Sequence, residues 1–347
     1  MTVTYHAGRR IQGLDADRTA TQLPSGSVGG WVELGRTTLG GTGSTIDVSS
    51  ISDKRYYMVL TNIIMNSSGG GGFRVGNSSI DTGTNYANRF SINGGADATG
   101  TSYTLVEDSP TTFGGNQNNV MYIANYSSKE KLFINHQARN NTAGATNAPT
   151  RFESVAKWTN TSNPIDIMRY YAQAGNFASG SEVVVLGWDP ADSHTNNFWE
   201  ELGTGSGTGT SLSVTFTAKK YLWVQCFFSA GASSNVNYVF NDDTTGTYAQ
   251  RENANGGTDG TQTQITNTDN LTNSGTGTFF TNMFILNNAS NEKLWINHGM
   301  QATAGATNAP TRRETVGKWV NTSNQITKIT STFGSSSTAT MKVWGAD

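Results

Sequence analysis

The sequence predicts an all-β chain: two tandem jelly-roll-like β-sandwich domains preceded by an extended N-terminal arm. Three observations carry this. Only 14% of the 347 residues are Asp, Glu, Lys or Arg, against roughly 25% in an ordinary globular chain, while 49 Thr, 35 Asn and 40 Gly supply polarity that suits strands and turns rather than helix interiors. Apolar residues recur with period two, and few windows carry the i, i+3, i+4, i+7 spacing of an amphipathic helix. The chain also repeats itself. TAGATNAPTR occupies Thr142–Arg151 and returns unchanged at Thr303–Arg312.

Around that decapeptide, EKLFINH at Glu130–His136 matches EKLWINH at Glu292–His298, and KWTNTSN at Lys157–Asn163 matches KWVNTSN at Lys318–Asn324. Upstream, DTGTNYANR from Asp81 pairs with DTTGTYAQR from Asp243, and ELG at Glu33–Gly35 returns at Glu201–Gly203. From Asp81 onward the offset stays near 162, which marks a tandem duplication. The boundaries that follow are an arm at 1–30, module one at 31–189, a polar linker at 190–197 (PADSHTNN) and module two at 198–347. A module of about 150 residues buries roughly 68–70% of its unfolded surface, enough for its own core.

The arm has few apolar side chains beyond Val3, Tyr5, Ile11 and Leu14, yet it sets Arg9 and Arg10 beside an extended apolar pattern, as a segment does that orders against a partner. In the first long apolar run, Tyr57, Val59, Thr61 and Ile63 fall on one face and Tyr56, Met58, Leu60 and Asn62 on the other. Gly69–Gly72 leads into Phe73-Arg74 rather than Lys-Ser/Thr, so it reads as a mobile loop and not a phosphate cradle. Leu132, Ile134 and His136 share a side, as do Leu294, Ile296 and His298. Next, Phe152, Ser154, Ala156 and Trp158 alternate with Arg151, Glu153, Val155 and Lys157. Small partners, Ala156 and in the second copy Gly317, leave room for an indole, which places Trp158 and Trp319 in the two cores.

GTGSGTGT at 203–210 reads as a spacer. In KKYLWVQCFF, Leu222, Val224, Cys226 and Phe228 make the core face, opposite Tyr221, Trp223, Gln225 and Phe227. EVVVLGW and TMKVWG close the two modules. Tyr56, Met58, Leu60, Tyr221, Trp223 and Phe227 form an apolar excess outside the core faces in both copies, to be covered by the other module or by a neighbouring copy. With Arg9 and Arg10 they are the candidate interface residues.

No catalytic constellation emerges, and the expectation is a protein that is not an enzyme and needs no cofactor or metal. His136 and His298 hold equivalent strand-end positions. With no second His or Cys at ligand spacing, each is expected to be a core-edge histidine bonded to a nearby loop. Cys226 faces a core opposite Thr61 in the alignment, so it reads as a buried structural thiol, and a single Cys makes no intrachain disulfide. Glu153 and Glu314 alternate with Arg151, Lys157, Arg312 and Lys318 as a solvated ion-pair ladder rather than as a glycosidase carboxylate pair. Asp242 and Asp243 could offer oxygens to Ca²⁺, but the counterpart GNSSIDTG lacks the adjacent carboxylate, and a turn is expected. A net charge of −2 gives no basic field for nucleic acid. The apolar run Tyr56–Met65 is short and broken by Thr61 and Asn62, so no membrane insertion is expected, and the N-terminus shows no apolar signal region.

The turn and strand motifs resemble those of tandem jelly-roll structural proteins of tailed phages and related environmental, often marine, viruses. The carriers are Asp81-Thr82-Gly83-Thr84-Asn85-Tyr86, the stretch Phe240-Asn241-Asp242-Asp243 through Tyr248, Ile123-Ala124-Asn125-Tyr126, Lys157-Trp158, Ile165-Asp166-Ile167 and Gly180-Ser181-Glu182-Val183-Val184-Val185-Leu186-Gly187. Module two departs at its end, where Ser335–Thr340 replaces the Gly-Ser-x-Val start, so its last loop is expected to differ. The resemblance implies a virion location and a capsid, decoration or tail-fibre subunit that assembles with itself and other virion proteins. It supplies no catalytic residue. The alternative is a glycan-binding adhesin, whose Asn-, Asp-, Tyr- and Trp-rich loops would hold host surface glycans.

Overall fold

The structure, a computed structural model, describes residues 30–107, 113–192, 197–230, 234–273, 277–302 and 305–347. The arm with Arg9 and Arg10 lies outside the described residues. Every regular element described is a strand, and no helix long and apolar enough to cross a membrane occurs among the described residues.

Module one contains β1 (Val32–Thr38), β2 (Thr45–Ser49), β3 (Tyr56–Gly69), β4 (Gly71–Asn77), β5 (Ser79–Ile80), β6 (Tyr86–Ile92), β7 (Ala98–Tyr103), β8 (Val106–Glu107), β9 (Phe113–Ala124), β10 (Lys131–Arg139), β11 (Thr150–Trp158), β12 (Ile167–Ala172) and β13 (Glu182–Trp188). Module two contains β14 (Glu200–Thr215), β15 (Tyr221–Ala230), β16 (Ser234–Phe240), β17 (Tyr248–Ala254), β18 (Gly260–Ile265), β19 (Thr268–Asn273), β20 (Gly277–Leu286), β21 (Lys293–Ala302), β22 (Thr311–Trp319) and β23 (Lys328–Ala346). Among the described residues, strands pair only within their own module. In module one an eight-stranded sheet, β1-β13-β3-β9-β10-β11-β6-β7, lies over a smaller one, β2-β12-β4-β5 with β8 beside β4. All pairings are antiparallel, and the two layers close on a core that includes Tyr57, Val59, Phe73, Met121 and Trp158.

Module two repeats this sandwich as one continuous ten-stranded sheet folded on itself. The reason lies in β14 and β23. Module one breaks the equivalent strands at 39–44 and 173–181, whereas β14 and β23 run through, pairing with each other past a bulge between Gly209 and Ser211. β23 then serves β16 with Ile329–Phe333 and β15 with Ser337–Ala346. Small side chains at that bend let both strands pass from one layer to the other. The GTGSGTGT run is therefore strand and not a spacer. Gly69–Gly72 is corrected likewise: it carries the end of β3 into β4, it is buried, and a Cβ at Gly69 would lie 1.9 Å from the Ala174 carbonyl oxygen.

The duplicated motifs are explained by duplicated bonds. Trp158 and Trp319 are each 1% exposed, and each indole N–H donates to a turn carboxylate, Asp81 and Asp243, at 2.7 Å. Asp243 also accepts from Thr245 and Thr247, so it closes a turn; Asp242 pairs with Lys328 at 2.8 Å. Asn125 and Asn287 bridge the same two backbone segments in their own modules, donating to the carbonyls of Lys54 and Lys219 and accepting from the amides of Ile165 and Ile326. One pair of core positions has changed together. Phe133 faces Ala156 in register, and Trp295 faces Gly317, where a Cβ would lie 1.9 Å from the indole Cζ2. Cys226 is buried as expected, and burial pushes its thiol up to about 11.

Candidate functional site

A third apolar core lies between the modules. It is built from the outward face of the module-one sheet (Met58, Leu60, Val120, Ala138, Val184, Leu186) against that of module two (Tyr221, Phe284, Leu286, Leu294, Ile296, Val316), with Trp199 and Trp344 alongside. Polar bonds ring it. Asn116 donates to the Glu292 carbonyl at 2.9 Å, Lys318 to the Thr142 carbonyl at 2.6 Å and to Asn140 at 3.0 Å, and the Gly144 amide to Glu292 at 2.6 Å. Glu182 accepts from Tyr221 at 2.8 Å and Lys220 at 2.9 Å.

At the middle of this contact the duplication meets itself. His136 and His298 sit edge to face, ring centroids 4.5 Å apart and planes at 72°. Strand register puts Glu153 opposite His136 and Glu314 opposite His298, so two His–Glu pairs face each other across the modules. Arg151 ties them together. Its guanidinium reaches Asp259 at 2.7 and 3.2 Å, Glu314 at 3.1 Å and Glu153 at 2.5 Å. Its twin Arg312 stays at the surface, 3.6 Å from Glu314. Asp97, the counterpart of Asp259, does not join the cluster and pairs with exposed Arg89 in its own module.

These positions correct two expectations. The histidines are not separate core-edge residues bonded to loops, and Glu153 and Glu314 are not a solvated ladder. Lys318 is fully buried against Glu292 at 3.4 Å, while its counterpart Lys157 remains outside with Glu130.

The electrostatics of the cluster follow from burial and neighbours. Burial would raise the Glu153 carboxyl, but His136 and Arg151 outweigh it and hold it at about 2. Glu314 is raised, first by burial and then by the Glu153 charge. Burial and then His136 push the His298 imidazole down to about 3. A folded value below the ordinary 6.5 means the unfolded chain takes the proton first, so stability is lost as pH falls from about 6.5 toward 3. Glu153 adds to that loss below about 4.5, and Glu314 opposes it. With a chelator present, the urea midpoint is expected to fall between pH 6.5 and 4.5 in the parent, and His298→Gln is expected to flatten that segment. An unchanged slope in the variant would remove His298 from the account. The space beside the cluster is too small for an organic substrate.

A second feature lies on module one. A pocket of about 490 Å³ is lined by Trp31, Tyr56, Tyr122, Leu132, Ile134 and Trp188 among others. Tyr56 stacks on Trp188 at 5.6 Å and its hydroxyl meets that of Tyr126 at 3.0 Å. Strand register maps these positions onto Trp199, Tyr221, Phe284, Leu294, Ile296 and Ala346 of module two, all of them buried in the core between the modules. On module one Leu132, Ile134 and Val155 remain 54%, 50% and 48% exposed.

The interface residues read from the sequence therefore divide. Met58, Leu60 and Tyr221 are buried inside the chain between the modules, so of the two covers expected for them it is the other module that they meet: the apolar excess is spent on module packing. Trp223 is partly buried there, against Trp199, Phe284 and Trp344. Tyr56 lines the pocket, and Phe227 is 51% exposed. Sequence reasoning placed Arg151 and Lys318 in a solvated ladder although both are buried, and it missed Asp259 and Glu292, together with the exposed run Leu132, Ile134, Val155. For that run the signal was available, because Leu132 and Ile134 share the side of His136 and not that of Phe133.

No protein-family profile and no curated protein matches the chain. Among solved structures it is similar to domains LG4-5 of the mouse laminin alpha1 chain, at 10% identity over 91% of this chain and 92% of that one, with a TM-score of 0.20. It is also similar to human GIVD cytosolic phospholipase A2, at 8% identity over 76% of this chain and 32% of that one, with a TM-score of 0.13. Likenesses this slight carry no argument, and the all-β sandwich architecture stands on the strand pairing itself.

Proposed function

We propose that the chain is a virion structural protein, a capsid, decoration or tail-fibre subunit, which joins further copies of itself through the uncovered face of module one. The carrying observation is the unequal use of one duplicated face. In module two that face is filled by a sheet of the same fold; in module one it is an open apolar pocket continuous with the module contact. Apolar area of this kind marks a protein interface. The motif resemblance supports the virion setting. A glycan site needs convergent hydrogen-bonding groups beside its aromatic rings, and this lining offers mainly carbon and a few phenols, which favours a protein occupant over a sugar.

Ile134→Asp tests the reading. Ile134 is half exposed, so the change should cost the fold within about 0.5 kcal/mol. Sedimentation of the parent is expected to show concentration-dependent association that the variant loses, with the far-UV spectrum unchanged. A monomeric parent at high concentration, or a variant that associates like the parent, would refute it.

A further inference from the structure

The geometry points to a divalent transition-metal site, of the Zn²⁺ class, formed by His136, Glu153 and His298 and joining the two modules across their contact. One ligand atom from each of the three residues lies within 4.8 Å of both others. Two come from neighbouring strands of module one and the third from module two, so an ion here would be held by both halves of the chain. All three stand on strands rather than loops, which fixes their spacing.

The donor set matches the ion. Two imidazole nitrogens with one carboxylate oxygen suit Zn²⁺ and its neighbours, and leave a fourth tetrahedral position for water. Ligand atoms around such an ion sit roughly 3.3 Å apart, given bonds of about 2.0–2.1 Å; side-chain rotations of about an ångström would close the present spread. His136 Nδ1 supplies an independent sign. It is buried without a hydrogen-bond partner, and its nearest carboxylate oxygen, on Glu153, is 3.8 Å away, too far for a hydrogen bond. A buried ring nitrogen left unpaired is unusual and has a lone pair or proton to place.

Charge allows it as well. Glu153, Glu314 and Asp259 set three carboxylates against Arg151 and Arg312, leaving room for added positive charge. Arg151 would not be orphaned if Glu153 turned to a metal, because its two-point pairing with Asp259 and its bond to Glu314 remain. An ion at this point would act as a staple on the module contact, and this inference does not depend on the assembly reading.

The test uses the full chain, stripped with EDTA and titrated with Zn²⁺ by calorimetry, with Co²⁺ as a spectroscopic probe. The expected result is one Zn²⁺ per chain, a tetrahedral Co²⁺ spectrum, and a higher unfolding midpoint with Zn²⁺ than with EDTA. His298→Gln and His136→Gln should each weaken binding at least tenfold and abolish the midpoint shift. Glu153→Gln, at a partly exposed side chain, keeps the test sound should a histidine variant fail to fold. His6→Gln with His194→Gln should change nothing. Absence of Zn²⁺ uptake by the parent, or uptake that survives His298→Gln and Glu153→Gln, would overturn the site.

Discussion

Arg151→Met is expected to lower stability by about 3–5 kcal/mol, the usual cost of removing one partner from a buried ion-pair network. The Arg151 side chain is 4% exposed, and Asp259 beside it is 1% exposed. Methionine fills similar space but leaves the Asp259, Glu314 and Glu153 carboxylates converging with no cation between them. Arg312→Met is the matched control. The same residue of the same decapeptide is there 59% exposed and only loosely paired, so its loss should fall within about 0.5 kcal/mol. Urea denaturation of both variants measures the difference. Asp259→Asn added to Arg151→Met should recover part of the loss, because it removes the most deeply buried unpaired charge. Equal effects at 151 and 312 would show that the asymmetric module contact does not form in solution.

Trp319→Ala is expected to cost about 3–5 kcal/mol as well, for a different reason. Its indole is buried, stacks on Tyr248 at 6.4 Å and 19°, and donates to Asp243 at 2.7 Å. Truncation opens a cavity that β-strands on either side cannot close. Trp319→Phe separates the two terms: most of the packing returns, and what stays missing is the charged hydrogen bond, about 1.5–3 kcal/mol. Denaturation followed by far-UV circular dichroism checks both. A loss under 1 kcal/mol for the alanine variant would mean that the core relaxes around the site.

The fold was largely legible in the sequence because its signals are local. Period-two runs declare strands and faces, and the repeated Trp and Asp positions declare one bond made twice. Their failures are instructive. The Gly-rich run at 203–210 looks like a loop because glycine weakens a strand, yet there the bend needs its lack of bulk. The central cluster was hidden for a deeper reason. TAGATNAPTR is identical in both copies, but Arg151 at its end is buried among carboxylates and Arg312 is in solvent. No local property can separate two identical segments. What separates them is how the outer faces of two finished sandwiches come together, and that same docking brings His136 to His298 and leaves Leu132 and Ile134 open while covering Leu294 and Ile296.

The exchanged pair in the two cores, Phe133 with Ala156 and Trp295 with Gly317, bears on how the gene can change. Each pair straddles the shared decapeptide, its aromatic member upstream and its small member downstream. Unequal crossing-over inside that stretch would leave frame and local sequence intact, and would yield either a shortened or a lengthened chain. The shortened product sets Phe133 against Gly317 and carries a void. The lengthened one sets Trp295 against Ala156, with a methyl group where the indole already lies. Either recombinant inherits a mismatched core, so side-chain packing opposes the loss or gain of a module by this route.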